Sequence, residues 1–466
     1  MSITYGSKRA VDVMRALAER RRLDARERWS RDELLAYQRA RVAELVAFAC
    51  RASPFYRERF GLLDAREVDL EALPTLDKVT MMNAFDRIVT DPRVRLERLE
   101  PHLATLADDD LFEGEHRVMT SSGSSGRRGV YVYDRSAWVV AMAGVLRWLR
   151  MLGAGPRLPR RRRSAAIGAP DGKHMTYRMS KTLDVGIGIM RRLSSMEPIE
   201  RLCGELDDFQ PEVMNAYPSI AAMLASEQLE GRLRIRPRVV CTSSEMRTAE
   251  MTEVIRRAWG VMPFDCLGLT ETGILAVDCS EHRGMHVFED LCVFEVVGAD
   301  GKPASPRTAG ARVLITNLFN RTQPLVRFEV TDLVTVDDTP CACGRSSLRI
   351  TAIDGRTEDV LLVKGKPVHP LHLIGPISAI VAVRQYQVVQ QGDRLVVSIL
   401  LAAGAGANET SARVRSALSA SLASIGAGAA EIEVCVVDRI AREEGAGKVK
   451  LVKRDPRVAA PPAFSA

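Results

Sequence analysis

The sequence predicts an α/β protein with a large N-terminal domain and a smaller C-terminal one. Between residues 164 and 267, short apolar segments suited to strands alternate with segments suited to helices. That alternation is typical of parallel βαβ units. From Val287 onward, short β-rich segments separated by turn residues replace it, which predicts an antiparallel or barrel-like subdomain. A length of 466 residues also exceeds what one ordinary hydrophobic core serves.

The individual elements follow from the same patterns. Helical spacing over 8–52 is followed by shorter helices broken at Pro54, Pro74 and Pro92. We then predict helices at 138–152, 177–183, 219–228 and 250–259, and strands at 164–168, 213–217, 239–242 and 262–267. The β-rich segments are 287–297, 311–318, 325–336 and 348–353. Beyond Gly355, a small α+β unit is predicted, with strands near 360–363, 382–390, 395–401 and 432–437 and a helix at 410–424.

Composition argues against several classes of function. Hydrophobic residues make up 46% of the chain and charged residues 27%, a balance typical of globular proteins, and no apolar segment is long enough to span a membrane. The net charge of +7 is small, and only 5% of residues are aromatic, so nucleic-acid binding is not expected. The first 22 residues lack the apolar core of a signal peptide. Nine cysteines without a regular framework predict reduced thiols and a cytoplasmic protein.

A glycine- and serine-rich loop precedes the apolar segment 130–132. Residues 119–130 hold three glycines and four serines. Glycine lets the backbone approach a ligand closely, and hydroxyl and backbone N–H groups can surround an anion, with Arg127 and Arg128 at the rim. The alternative is a flexible linker. The spacing does not fit the nucleotide loop GxxxxGK[ST], so composition alone leaves both interpretations open.

Four other segments carry side chains suited to nucleotide chemistry. Thr270 and Glu271 follow a predicted strand, at the end where α/β proteins bind ligands. Asp332 ends the segment 327–332 and offers a carboxylate to a sugar diol. Residues 355–359 lie at the predicted domain boundary, and Lys448 lies in a glycine-flanked loop near the C-terminus. Each motif occurs by chance in long chains, but their order and spacing together are specific.

Together these segments resemble the acyl-adenylate-forming ligase superfamily, and most closely its phenylacetate–coenzyme A ligase branch, from about residue 70 to residue 453. The anchors are SSGSSG at 121–126, YPS at 217–219, GLTE at 268–271, the run 315–333, CACGR at 341–345 and GRTEDVLLVKG at 355–365. The resemblance implies an N-terminal adenylation domain, residues 1–354. It also implies a small mobile C-terminal domain, residues 355–466, that carries the catalytic lysine.

The resemblance also implies a role for each matching residue. The residues matching the loop around the ATP phosphates are Ser121, Ser122, Gly123, Ser124, Ser125 and Gly126. Ser244 and Glu245 match the segment beside the adenine and acyl site, and Asp332, with Arg356 nearby, matches the ribose-binding carboxylate. Thr270 and Glu271 match the residues that contact the α-phosphate and hold Mg²⁺. Glu358 falls at the hinge, and Lys448 matches the lysine that drives adenylation.

The implied reaction suits these residue types. A carboxylate that attacks an α-phosphate meets like-charge repulsion, so positive charge must bridge the two groups. Mg²⁺ held by Glu271 and the ammonium of Lys448 would supply it. The resemblance implies a carboxylic acid, expected to be aromatic, that is converted with ATP to an acyl-AMP and pyrophosphate. The acyl group is then expected to pass to coenzyme A.

A second set of residues has the pattern of a structural zinc site. Cys341 and Cys343 lie in a tight turn, and an upstream cysteine and histidine would complete a tetrahedral Cys₃His set. Cys279 is the upstream cysteine, and the family pattern favours His286 over His282 as the histidine. The alternative is a set of free buried cysteines.

The segment 168–182 departs most from the family pattern. Lys173, His174, Tyr177 and Arg178 make it polar and basic, which suits a polar acid or a small oxyanion, unless the segment is a surface loop. Leu267 also replaces the usual tyrosine.

Several alternatives therefore stay open. The acceptor is coenzyme A, an amine or a carrier-protein thiol, or the activated acid is nitrite, for diazotisation of an aromatic amine. A nucleotide-binding module without catalysis is a third class of function. The oligomeric state is open, a homodimer included.

Overall fold

The computed structural model describes residues 3–61, 68–121, 128–155, 161–298, 300–356, 359–402, 404–428, 430–443 and 446–455. The helices are α1 (Ile3–Arg26), α2 (Arg31–Ala52), α3 (Pro54–Phe60), α4 (Lys78–Asn83), α5 (Phe85–Ile88), α6 (Leu96–Thr105), α7 (Arg135–Met151), α8 (Met175–Leu183), α9 (Ile199–Phe209), α10 (Pro218–Leu229), α11 (Ala249–Trp259), α12 (Leu371–Ser378) and α13 (Ala407–Ser424).

The strands of the first half are β1 (Arg117–Thr120), β2 (Val130–Tyr133), β3 (Arg163–Gly168), β4 (Ile189–Ser194), β5 (Val213–Ala216), β6 (Val239–Ser243), β7 (Phe264–Leu269), β8 (Gly273–Val277) and β9 (Met285–Val287). The later strands are β10 (Cys292–Val297), β11 (Arg312–Asn317), β12 (Phe328–Val330), β13 (Asp332–Asp337), β14 (Arg349–Arg356), β15 (Leu361–Val363), β16 (Lys366–Val368), β17 (Val383–Gln391), β18 (Arg394–Leu401), β19 (Glu431–Val436) and β20 (Val452–Lys453).

Local sequence signals set several helix boundaries. Ser30 and Glu33 form a capping box at the start of α2, in which each side chain bonds the other residue's backbone N–H. Asp134 caps α7 by accepting the N–H of Ala137. Thr248 caps α11, and Gly260 ends that helix in the left-handed region with φ of 70°.

A nine-stranded sheet in the order β13-β14-β9-β8-β7-β6-β5-β3-β4 is the centre of the large part. Neighbouring strands are parallel from β7 through β6, β5 and β3 to β4. On the other side of β7, the strands β8, β9, β14 and β13 each pair antiparallel with their neighbours. The predicted α/β class with parallel βαβ units is therefore confirmed. Helices α9, α10 and α11 pack on one face of the parallel strands in a core that includes Ile167, Met214 and Val240.

Two strands in this sheet escaped the sequence analysis. Strand β4 was missed because Arg191 and Arg192 interrupt its apolar pattern, which an edge strand tolerates. Strand β8 was missed because it follows β7 through a short hairpin, and a hairpin turn there does not fit an alternating βαβ pattern.

The β-rich segment 325–336 holds two strands rather than one. The structure divides it at Thr331 into β12, which pairs with β11, and β13, which pairs with β14. An unbroken apolar pattern cannot reveal a chain that passes from one sheet to another. Strands β10, β11 and β12 form a separate antiparallel sheet.

The C-terminal strands form a four-stranded sheet in the order β19-β18-β17-β20. Helices α12 and α13 pack with it around a core whose buried members all lie between Leu361 and Val452. The strand predicted at 360–363 is β15, which pairs with β16 outside this sheet. Among the described residues, no helix combines the length and apolar character needed to cross a membrane.

A buried charge network fixes helix α8, which borders the site described below. Arg117 donates to Asp109 at 2.9 and 3.0 Å, and Arg178 donates to the same carboxylate at 3.3 Å. Thr182 of α8 and Tyr5 of α1 also donate to Asp109. Arg178 is 0% exposed, and its burial lowers its pKa to about 10.

We expect Asp109→Asn to lower the free energy of unfolding by about 3–5 kcal/mol, because two buried guanidinium groups lose their countercharge. Urea unfolding followed by tryptophan fluorescence would measure the loss. The matched control is Asp208→Asn at an exposed position on α9, for which the expected change is within about 0.5 kcal/mol. Equal effects of the two variants would contradict the role of the network.

Candidate nucleotide and acid site

One cavity of about 880 Å³ lies at the carboxyl ends of the parallel strands. Its lining brings together six of the residues that the sequence analysis selected: Ser121, Ser244, Thr270, Glu271, Asp332 and Lys448. These residues come from positions more than 300 apart in the chain, and the sheet topology places them around one space. Ser122, Gly123, Ser124, Ser125, Gly126 and Glu358 lie outside the described residues.

Thr270 and Glu271 occupy the turn between β7 and β8. The backbone pairs Leu269 with Gly273, and Gly273 has φ of 76°, which closes the turn. The hydroxyl of Tyr133 donates to the Thr270 carbonyl at 2.8 Å, and the amide of Asn317 donates to the Glu271 carbonyl at 2.8 Å. The turn is therefore held by its backbone, which leaves both side chains available to the cavity.

Glu271 is the acid of this turn, and its surroundings shift the pKa of its carboxyl. Burial raises the pKa of its carboxyl, and the nearby charge of Asp332 raises it further, whereas Lys78 opposes the shift. A nearby cation would stabilise the ionised form of this carboxyl, as a bound metal ion does for its carboxylate ligands. Lys78 also lines the cavity, and sequence reasoning missed it because a lysine at a helix start is ordinarily solvated.

Asp332 begins β13 at the rim of the cavity and is 9% exposed. Its backbone pairs with that of Arg356, so the two residues predicted to lie near each other are adjacent in the sheet. Glu329 lines the same wall, and burial raises the pKa of its carboxyl. This end of the cavity is therefore polar and acidic, with hydrogen-bond acceptors suited to hydroxyl groups.

Lys448 reaches the cavity from the C-terminal part of the chain. Its Nζ lies 5.8 Å from the centroid of the Tyr217 ring, at the edge of cation–π range. The Tyr217 hydroxyl donates to the carbonyl of Ala446 at 3.2 Å. Gly447 has φ of 67°, and a Cβ there would lie 2.2 Å from Ser195 Oγ. Glycine is required here because the loop adopts a left-handed turn and packs closely against Ser195.

The Glu245 carboxylate hydrogen-bonds the backbone of the same loop. Its carboxylate accepts the N–H of Val449 at 2.7 Å and that of Ser219 at 3.1 Å. Burial raises the pKa of this carboxyl. Arg442 donates to the carbonyl of Gly447 at 3.1 Å, which adds a second bond at the neighbouring residue.

The placement of Glu245 differs from the expected one. Ser244 lines the cavity, but Glu245 is not among the residues that do. Its side chain turns toward the Lys448 loop, which local sequence could not reveal because the partner lies about 200 residues away. In this structure, the Glu245 carboxylate bonds the backbone of the residue that follows Lys448.

The basic segment 168–182 does not give the cavity a basic wall. Arg178 is directed into the Asp109 network, and Lys181 pairs with Asp108 at 2.9 Å. Tyr177 donates to Asp108 at 3.2 Å, while His174 and Tyr177 contribute to the lining. Lys173 and Arg178 are not among the lining residues. The charges of Arg178 and Lys181 are thus matched by Asp109 and Asp108, which lie between α6 and β1.

The predicted Cys₃His set comes together at a second place. The ligand atoms of Cys279, His286, Cys341 and Cys343 all lie within 4.8 Å of one another. Cys279 Sγ is 4.0 Å from Cys341 Sγ, and Cys343 Sγ is 3.3 Å from His286 Nε2. Tetrahedral zinc ligands would be about 3.4–3.8 Å apart, so the donor set fits such an ion.

The choice between the two histidines follows from their partners. His286 Nδ1 lies 3.0 Å from Ser347 Oγ, which orients Nε2 toward the cysteines. Burial lowers the pKa of His286 to about 4, so the ring is neutral at pH 7, as a metal ligand must be. His282 Nδ1 instead lies 2.8 Å from Asp278 Oδ2. The geometry therefore favours His286.

Comparison with known proteins gives a consistent picture, although no protein-family model matches the chain. The chain is 29% identical over 369 residues to phenylacetate–coenzyme A ligase of Thermus thermophilus, covering 77% of this chain and 78% of that protein. It is 27% identical over 375 residues to the enzyme of the same name from Escherichia coli, covering 76% and 78%. Its fold matches 2-hydroxyisobutyryl-CoA ligase in a postadenylation state with an acyl-AMP, with a TM-score of 0.71, 20% identity and coverage of 92% and 91%.

We expect Glu245→Gln to loosen the Lys448 loop, because an amide has one acceptor oxygen where the carboxylate accepts two N–H groups. Limited trypsin digestion with mass spectrometry should then cleave after Lys448 or Lys450 several times faster than in the unmodified protein. Glu250→Gln, at an exposed position on α11, is the control and should leave the cleavage rate unchanged. Unaltered protection in Glu245→Gln would show that the bond does not restrain the loop.

Proposed function

Because the chain is a homologue of phenylacetate–coenzyme A ligases and has the fold of acyl-adenylate-forming ligases, we propose that it is an AMP-forming acid–coenzyme A ligase. In the first step, a carboxylate oxygen of the acid bonds to the α-phosphorus of ATP and the bond to pyrophosphate breaks. In the second step, the coenzyme A thiol attacks the acyl carbon. The thioester forms, AMP leaves and the thiol proton is released.

The observation that carries this proposal is the convergence of Lys448, Glu271 and Asp332 on one cavity. The reacting carboxylate and α-phosphate are both anions, so their approach requires positive charge between them. Lys448 supplies a point charge at that position. Glu271, whose buried carboxyl lies near the carboxylate of Asp332, is suited to hold Mg²⁺, which would neutralise phosphate oxygens when bound.

The remaining residues divide between nucleotide and acid. Asp332 is suited to accept hydrogen bonds from the ribose hydroxyls, and Thr270 to contact the α-phosphate. Ser121 donates its N–H to Gly129 at 3.0 Å at the base of the glycine-rich loop. The phosphate-binding role of residues 122–126 rests on the sequence alone.

The cavity supports an organic acid rather than nitrite. Arg178 and Lys181 of segment 168–182 are paired with Asp109 and Asp108, and apolar side chains such as Met175, Met179 and Leu269 line the cavity. Since an inorganic oxyanion gains nothing from such a wall, we propose a carboxylic acid with an apolar body, an aromatic one included.

The second step requires Lys448 to withdraw. We propose that residues 355–466 form a mobile domain that turns about Glu358. Lys450 pairs with Asp359 at 2.5 Å, one residue beyond this hinge, so the pair lies within the part that would turn. A rotation there would remove Lys448 and admit coenzyme A.

We also propose that Cys279, His286, Cys341 and Cys343 hold a structural Zn²⁺. Four protein ligands complete a tetrahedral shell, so no position is open for catalysis. The ion would connect the segment between β8 and β9 with the segment between β13 and β14.

We expect Lys448→Ala to lower ATP–pyrophosphate exchange by about 10²–10³-fold, the typical cost of removing one preorganised charge contact. Conversion of presynthesised acyl-AMP to the coenzyme A thioester should be retained, because that step takes place after the lysine has left. Lys366→Ala, at an exposed position of the C-terminal part, is the control for both assays. Full exchange activity in Lys448→Ala would overturn the assignment.

For the second site, we expect about one zinc per chain by elemental analysis of protein purified without chelators. Cys343→Ser should lose the metal and unfold at a lower temperature, because one thiolate ligand is gone. Cys435→Ser, a cysteine remote from the cluster, should retain both the metal and the melting temperature. Metal-free wild-type protein with unchanged stability would contradict the proposal.

A further inference from the structure

The cavity extends along a face of the parallel sheet whose central strands carry mainly small side chains, while Met190 and Arg192 of β4 lie on the same face at its edge. Side chains alternate between the two faces of a strand, so Ser164, Ala166 and Gly168 of β3 share one face. The same face carries Asn215 of β5, Ser243 of β6 and Gly268 of β7, and all six residues line the cavity. The opposite face presents larger residues, such as Ile167 and Met214, to the core with α9, α10 and α11.

Helices cover this face without filling it. The covering side chains are apolar and come from three helices: Val13 and Leu17 of α1, Val145 and Leu149 of α7, and Met175, Met179 and Leu183 of α8. Because the residues on the sheet are small, a space remains between them and the helices. We name this space the acyl chamber and define it by the six small sheet residues together with these seven helical ones.

The chamber is deep relative to the reacting groups. Gly168 lies at the carboxyl end of β3, the end of the sheet that Lys448 reaches, and Ser164 lies four residues back along the strand. At about 3.3 Å per residue, the chamber runs ~13 Å away from the site of adenylation. Ile187 and Met190 line its far end.

Two arginines line this part of the cavity, Arg192 beside Ala166 and Arg162 beyond Ser164, and both are already engaged. Arg192 pairs with Asp184 at 2.8 Å, and Arg162 donates to the carbonyl of Gly153. A second carboxylate on the ligand would therefore have to displace an existing ion pair. The chamber suits an uncharged body better than a dicarboxylic acid.

We propose that the substrate is a monocarboxylic acid with an extended apolar body, longer than phenylacetate, whose tail lies along β3 from Gly168 toward Ser164. This inference rests on the proposed ligase function and specifies its substrate class. The carboxylate would lie beside Lys448, and the tail would lie between the sheet and helices α7 and α8. Each methylene moved from water into this apolar space should raise kcat/KM about four-fold, until the chamber is full.

The test is pyrophosphate release with two series of acids, ω-phenylalkanoates from phenylacetate to 6-phenylhexanoate and saturated acids from acetate to dodecanoate. We expect kcat/KM to rise with length in both series. If phenylacetate is turned over best and longer acids are rejected, the extended substrate class is wrong and the ligase function stands. If no acid releases pyrophosphate, the ligase function and the substrate class both fail.

Two variants locate the tail within the chamber. Ala166→Leu fills the middle of the chamber, and Ser164→Leu fills its far end. The acid length at which turnover begins to fall should therefore be shorter in Ala166→Leu than in Ser164→Leu. We expect losses of more than about ten-fold for the longest acids and little change for the shortest ones, which serve as the internal control. A general folding defect would lower turnover of all acids alike. Equal losses across the series, with unchanged melting temperature, would overturn the placement of the tail.

Discussion

The docking of the Lys448 loop on the carboxyl end of the parallel sheet is the contact on which the functional arrangement depends. Lys448 belongs to the part of the chain that has its own core, and its loop is held beside the cavity by hydrogen bonds as well as by the buried side chains of Ala446 and Val449. The Tyr217 hydroxyl, the Glu245 carboxylate and Arg442 all bind the backbone of this loop. A polar contact of this kind fixes a position accurately and can still be released, because water can replace each bond.

The cavity divides into two chemical environments along its length. Glu271, Glu329 and Asp332 make one end acidic, and Lys78 and Lys448 oppose their charge. At the other end, Ser164, Ala166 and Gly168 of β3 face the cavity, while Ile167 of β3 and Met214 of β5 face the core. The same strand pattern therefore stabilises the sheet on one face and makes room for a ligand on the other.

Sequence predicted the class of fold and the order of the site residues, because both leave short-range patterns. Strand–helix alternation indicated the parallel sheet, and the Gly-Leu-Thr-Glu and Cys-Ala-Cys motifs indicated the two clusters. Contacts between distant segments left no such trace. The role of Glu245 depends on Val449, and Lys78 depends on the folded position of α4. The basic segment 168–182 was ambiguous for the same reason, since its countercharges, Asp108 and Asp109, lie about 60 to 70 residues earlier.

Gly447 carries no functional group, yet the surface around Ser195 leaves no space for a side chain at this position. Ser195 belongs to the segment between β4 and α9, and it is 1% exposed. In a survey of random substitutions, changes at position 447 would lower activity as changes at the reacting residues do, although Gly447 takes no part in bond making. Tolerance to mutation in one part of this protein is thus dictated by the shape of a surface in the other.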